Sequence, residues 1–310
     1  MIISKRVQGF LCLGVTSLIF GTFETVSKTI TTIGPETTNF LRFFIGVLAI
    51  IPFALKDLRA LFKVFTWKDH LKIGLLGTLF ITISMGLYQV SLSKLPASTT
   101  VFLYTFNSVF IAIFAHFITK ERLKAHVVVF ITLSLVGLGF ILEPGVNAIS
   151  IYVTLPLLAS CLFGLYNVLV QGYMKKHGRI AILTLAIFYG TIVNGITLTL
   201  RGVPIFVRTE PMELLALLYL GVFASGITYV TYYIGMKHTS INMGSIVFFM
   251  KPILSTLMAV IVLHETLSVG FLIGGAFILL GSFILIYYSN RMHHEELKLV
   301  TMPEKRSDRR

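Results

Sequence analysis

The sequence predicts an all-α integral membrane protein, with ten transmembrane helices built as two inverted five-helix repeats. Three observations predict it. Only 13% of the 310 residues are charged and 55% are hydrophobic, against about 25% charged in soluble domains. Apolar runs near 20 residues long recur from one end of the chain to the other. Lysine and arginine also fall unevenly: 20 lie on one side of the predicted membrane and three on the other.

The spans follow in order, each long enough to cross a hydrocarbon core of about 30 Å at 1.5 Å per residue. Residues 9–30 follow Lys5 and Arg6 with no small-residue cleavage site, so they read as a retained first span and not as a signal peptide. Residues 37–55 end at the basic 56–72 segment. Residues 71–92 and 97–118 are parted by "KLPA", and 125–142 follow the basic 119–124 turn. After "EPGVNAIS" come 151–173 and 180–200, with a basic junction at 175–179. Residues 212–235, 241–263 and 267–289 complete the set, separated by "MKHTS" and "LHETL". The domain organisation is therefore a first repeat at 9–142, a second at 151–289 and a basic tail at 290–310. The positive-inside rule places the lysine- and arginine-rich side, with both termini, in the cytoplasm. The location expected is the plasma membrane, multi-pass.

The net charge of +13 does not indicate nucleic acid, because the basic residues cluster in short interhelical loops that membrane topology explains. Cys12 and Cys161 sit in apolar runs and suggest no disulfide framework. The basic tail reads as a segment for cytoplasmic solvation or anionic-lipid contact, and its "HHEE" as part of that solvated tail and not as a metal site. No cofactor and no metal are expected.

The repeat shows on sliding the chain by 144 residues. Glu121 meets Glu265, Leu123 meets Leu267, Leu135 meets Leu279, Gly137 meets Gly281, Gly77 meets Gly221 and Tyr88 meets Tyr232. At a shift of 143, "SLIFG" (17–21) meets "SCLFG" (160–164). Five spans is an odd number, so the second half enters the membrane from the opposite side. Inverted repeats of this kind are common in secondary transporters, with the substrate site near the midplane.

The aromatic-glycine steps at 20–21 and 163–164, the arginine of "NFLRFF" and the stretch "KPILSTLMAVIVLHETLSVGFLIGGAFILLG" (251–281) resemble the EamA repeat of the drug/metabolite transporter superfamily. The resemblance covers 9–289; Ser108 stands where the second half has Pro252. It implies ten helices, a central cavity open alternately to each side, and movement of small metabolites such as amino acids. More distant relatives carry nucleotide sugars or phosphates. Small multidrug resistance proteins of the same superfamily couple protons through a first-helix glutamate. Glu24 lies about one turn further along, so that role is not carried over.

The candidate substrate and coupling residues are Glu24, Lys28, Arg42, Tyr104, Asn107, Asn167, Gln171, Tyr232 and Lys251. Ser17, Gly21, Glu24 and Lys28 form one helical stripe, and Ser160, Gly164, Asn167 and Gln171 repeat it without charges. Such a stripe faces the bundle interior, because lipid solvates neither charges nor amides. Either Glu24 and Lys28 neutralise each other at i, i+4, or the stripe is a cavity wall. Lys251 lies mid-span, where a lysine costs about 2.5–3.5 kcal/mol on insertion scales. It is either an anion site beside the helix disturbance at Pro252 or a buried partner of Glu24. Asn107 is its repeat mate. Arg42 snorkels outward, pairs with Glu36 or lines an entry path. Tyr88, Tyr104, Tyr166, Tyr189 and Tyr232 are core or cavity aromatics. Glu121 and Glu265 read as caps of the helices that follow them. Gly270, Gly274 and Gly281 form a close-packing seam.

Lys28, Arg42 and Lys251 set against Glu24 leave an excess of positive charge within the spans, which favours carboxylate-bearing or otherwise anionic solutes. Proton coupling through Glu24 is the accompanying expectation. The leading reading is a secondary transporter, expected to export. No GxxxxGK[ST] loop indicates ATP hydrolysis. A membrane-embedded lipid or isoprenoid enzyme is the rival, but the sequence has no DxxD and no HExxH. The chain's expected partners are the bilayer and a small-molecule substrate.

Overall fold

The computed structural model describes residues 4–120, 124–142, 151–239 and 241–301. Among these there is no strand. The helices are α1 (Lys5–Lys28), α2 (Pro35–Phe62), α3 (Trp67–Lys94), α4 (Ala97–Thr119), α5 (Ala125–Ile141), α6 (Ile151–His177), α7 (Arg179–Leu200), α8 (Pro211–His238), α9 (Ile241–Leu263) and α10 (Val269–Thr301). Nine are long and apolar enough to cross a membrane, and α5 is a shorter apolar helix. Several run past the sequence-predicted bounds. α1 begins at Lys5 and α2 continues through Lys56 and Arg59 to Phe62. Hydropathy marks only the hydrocarbon-crossing part of a helix, while the helix itself continues into the polar zone.

Helix packing interleaves the two halves. α1 lies against α8 and α9, whereas its repeat mate α6 lies against α3 and α4. α2 packs on α7 and α8, α3 on α7, and α5 on α10. Glycine permits the closest approaches. A Cβ on Gly21 would sit 2.5 Å from Leu254 Cβ, and one on Gly164 would sit 2.8 Å from Phe110 Cβ. These contacts are repeat-related, and each holds a first helix against the fourth helix of the other half. The small-residue seam of α10 faces α5, where Gly274 and Gly137 meet backbone to backbone.

Two helices are locally widened into π turns. Thr78–Ser84 interrupts α3 and Leu220–Ile227 interrupts α8, at equivalent places in the two repeats. A glycine pressed on a neighbour sits near the start of each: Gly77, just before the first, on the Ala186 carbonyl, and Gly221, the second residue of the other, on Ile45. Such turns recur at functional sites because they free carbonyls and redirect side chains.

The outer surface is apolar, with Leu18, Phe44, Leu48, Leu75 and Leu200 exposed. On a chain of this composition that is the lipid-facing side.

Candidate functional site

The two interleaved groups, α1–α8–α9 and α6–α3–α4, face each other across a cavity of about 410 Å³. That is within the usual range for small-molecule sites. The cavity reaches the α6–α7 junction, where Lys175 and Arg179 line it. Toward the opposite face it ends at Phe23, Met85, Tyr88 and Val101.

Beyond that end lie polar contacts between the helices and turns. Gln89 Nε2 donates to Ser27 Oγ at 2.6 Å. Glu213, at the start of α8, accepts from the backbone and hydroxyl groups of Thr31 and Thr32 in the α1–α2 turn. Glu265 accepts from Ala97 N at 2.5 Å, Ser98 N at 3.1 Å and Ser98 Oγ at 2.7 Å. It therefore caps α4 in the other half, not the helix after it as the sequence suggested. The cap of α10 is Ser268, whose Oγ accepts from Phe271 N. Glu121 lies outside the described residues.

Glu24 is fully buried. Its Oε1 accepts from Tyr88 OH at 2.5 Å and pairs with Lys251 Nζ at 2.9 Å, and its Oε2 accepts from Ser255 Oγ at 2.9 Å. The i, i+4 pairing of Glu24 with Lys28 is not made. Lys28 is partly buried at the end of α1, within electrostatic reach of Glu265, and is not among the residues lining the cavity. The cause is the α1–α9 contact of Gly21 with Leu254, which sets Lys251 opposite Glu24 and leaves Lys28 one helical turn beyond it. Lys251 keeps 16% of its side chain exposed. Its ammonium lies 5.6–5.8 Å from the ring centres of Phe20, Phe23, Tyr88 and Tyr104.

Arg42 is 3% exposed and lines the cavity. It neither snorkels nor pairs with Glu36, which bonds Arg201 instead at 2.9 Å. Its Nη2 donates to Asn39 Oδ1 at 2.9 Å and its Nη1 to Ser225 Oγ at 3.3 Å. Asn39 in turn donates to the Ile81 carbonyl. One guanidinium thus engages both π turns, directly at Ser225 and through Asn39 at Ile81. It lies over the rings of Phe43 (4.0 Å) and Phe23 (4.8 Å), a favourable placement for a cation.

Tyr104, Asn107, Asn167, Gln171 and Tyr232 also line the cavity, as do Tyr88 and Tyr166. Asn167 Nδ2 is occupied by the Phe163 carbonyl, and Ser108 Oγ donates to Asn107 Oδ1. Tyr189 lies elsewhere, with its hydroxyl 2.8 Å from His70 Nδ1. Sequence reasoning missed Lys175 and Arg179 as cavity residues, because they were counted only as loop charges. It also missed Ser255, one turn past Lys251 and signalled by that spacing.

A family model described as the EamA-like transporter family matches the chain twice, over 7–143 and 150–287. A Clostridium kluyveri protein named only as an uncharacterized transporter is 31% identical, over 94% of this chain and 97% of its own. An Archaeoglobus fulgidus protein of the same description is 26% identical, over 84% and 90% respectively. A solved crystal structure with 20% identity superposes over 93% of this chain and 99% of its own, with a TM-score of 0.66. That likeness concerns the fold alone.

Proposed function

The chain belongs to the EamA-like transporter family, and on that premise we propose that it is a secondary-active exporter of amino acids or related carboxylate-bearing solutes. A bilayer and a small-molecule cargo come with the family; the cargo class and the mechanism rest on the cavity. The observation that carries the reading is Arg42, buried in the wall of the cavity and hydrogen-bonded to neutral groups alone. A guanidinium presents a planar fork of donors that matches a carboxylate.

In this proposal the cavity opens alternately to each face, by movement of the α1–α8–α9 group against α6–α3–α4. The halves 9–142 and 151–289 act as inverted repeats, and 290–310 is a cytoplasmic tail. The lysine and arginine asymmetry makes the α6–α7 face cytoplasmic and the membrane the plasma membrane. Glu24 is the proton carrier: neutralising it releases Lys251, and Tyr88 and Ser255 remain to bond it. Tyr104, Asn107, Asn167, Gln171 and Tyr232 line the path, and Lys28 lies outside it.

Metabolite profiling inside and outside cells, with and without the protein, tests the reading. The expected result is an external excess of one or a few carboxylates that Arg42→Gln removes. Identical profiles in all three strains would overturn it.

A further inference from the structure

We propose that the cavity's cargo is a monoanion with a flat, apolar body and no ammonium group: an aromatic monocarboxylate and not an amino acid. This rests on the transporter reading and narrows its cargo class.

Charge is the first observation. Among the described residues, the lining contains Arg42, Lys175, Arg179 and Lys251 but no aspartate or glutamate. Glu24 is sealed behind Tyr88, Ser255 and Lys251, with both oxygens engaged. The Glu24–Lys251 pair is neutral as a unit, which leaves Arg42 as the uncompensated charge in the deep part of the cavity. A buried charge of this kind is costly until it is paired. A monocarboxylate brings that region to neutrality. A zwitterionic amino acid leaves it at one positive charge and offers its ammonium to neutral amide and hydroxyl oxygens only.

Orphaned polar atoms are the second. Arg42 Nε is buried without a hydrogen-bond partner, and so is the hydroxyl of Tyr166, a residue only 2% exposed. Both residues line the cavity. The orphan Nε is a donor with its charge still to satisfy, and a ligand carboxylate accepts from it. The Tyr166 hydroxyl is placed to serve a second polar substituent.

Shape is the third. Six rings form a chain that begins and ends at Arg42, all but Phe43 of them in the cavity lining. Phe23 neighbours Tyr88 (6.2 Å between centroids), Tyr88 neighbours Tyr104 (4.4 Å) and Tyr104 neighbours Phe163 (5.7 Å). Phe163 then meets Phe80 (5.2 Å), and Phe80 meets Phe43 (6.0 Å). Arg42, lying over both Phe43 and Phe23, closes the circuit. Aromatic walls prefer offset-stacked or edge-on rings, so a flat body attached to the carboxylate fits where a branched polar one does not.

Three probes that share a benzyl group and differ in the charged groups it carries separate the possibilities: phenylacetate, phenylalanine and phenethylamine. Binding to the full-length protein in lipid nanodiscs is measured by calorimetry, and flux is measured in proteoliposomes. Phenylacetate is expected to bind at least tenfold more tightly than phenylalanine, and phenethylamine not to compete. Arg42→Gln should weaken phenylacetate at least tenfold, while Glu36→Ala, at an exposed ion pair outside the cavity lining, changes it less than threefold. Phenylalanine or phenethylamine binding as tightly as phenylacetate overturns the proposal, as does folded protein that binds none of the three. The wild-type series needs no variant, so a misfolded Arg42→Gln leaves the proposal testable. Phenylacetate that binds but never crosses the vesicle membrane overturns the transporter reading and leaves the anion site standing.

Discussion

Removing one member of the Glu24–Lys251 pair should cost more than removing both. Glu24→Gln deletes the counter-charge and leaves Lys251 in a wall of aromatic rings. Breaking a buried pair typically costs about 3–5 kcal/mol. Lys251 keeps 16% exposure toward the cavity, which sets this variant near the lower end, about 3 kcal/mol. Lys251→Met leaves a carboxylate that is 0% exposed. It keeps the Tyr88 and Ser255 hydrogen bonds but has no counter-ion, so the expected cost is near the upper end, about 5 kcal/mol. In the double variant Glu24→Gln/Lys251→Met both groups are neutral and similar in volume, and stability should return to within about 1 kcal/mol of the parent. The cycle then yields a coupling of several kcal/mol. Unfolding by denaturant in micelles, followed by helical circular dichroism, measures it. Single variants at parental stability, or costs that simply add, would refute the buried-pair account. Flux separates stability from function: a stable double variant that still transports with the parental pH profile removes Glu24 as proton carrier.

Other outcomes follow from particular contacts. Gly21→Ala places a Cβ 2.5 Å from Leu254 Cβ, and overpacking of that kind should cost about 1–3 kcal/mol; a melting temperature equal to the parent's would contradict the α1–α9 contact. Glu265→Ala strips the cap from the start of α4, at a cost of about 0.5–2 kcal/mol, and hydrogen exchange should quicken at the amides of Ala97 and Ser98 before anywhere else on that helix. Glu36→Ala should change stability by less than about 1 kcal/mol, because its partner Arg201 is 57% exposed; it serves as the control for the buried pair. Tags on either terminus should be reached only from the cytoplasm, and labelling of an N-terminal tag from outside intact cells would reverse the topology.

The mid-span charges, the internal repeat and the polar stripe of α1 were legible because a bilayer leaves few reasons to bury a charge. Pairing was not. A spacing of four suggests Glu24 with Lys28, but the choice of Lys251 depends on which helix lies against α1, and that is decided by Gly21 and Leu254 across the two halves. The same cause misdirected Glu265, whose hydrogen bonds go to the helix lying beside it in space. Lys175 and Arg179 were visible only as topology markers. Their place at the cavity mouth follows from α6 packing on α3 and α4. Hydropathy located the spans but not their polar ends, as the extension of α2 to Phe62 illustrates. The π turns left no trace in composition, because TLFITIS and LGVFASGI read as ordinary apolar helix.

Those turns have a consequence for register. A π turn holds one residue more than the α turn it replaces, so everything after it is rotated by about 100° relative to an unbroken helix. Tyr88 and Gln89 follow Thr78–Ser84, and Thr228–His238 follows Leu220–Ile227. The hydroxyl of Tyr88 reaches Glu24, and the amide of Gln89 reaches Ser27, only because that surplus residue is present. Deleting one residue from 78–84 would leave α3 fully helical and equally apolar, yet aim both side chains away from α1. The inheritance shared by the two halves is therefore partly one of residue count, kept in the backbone even where the side chains of Glu24 and Asn167 have diverged.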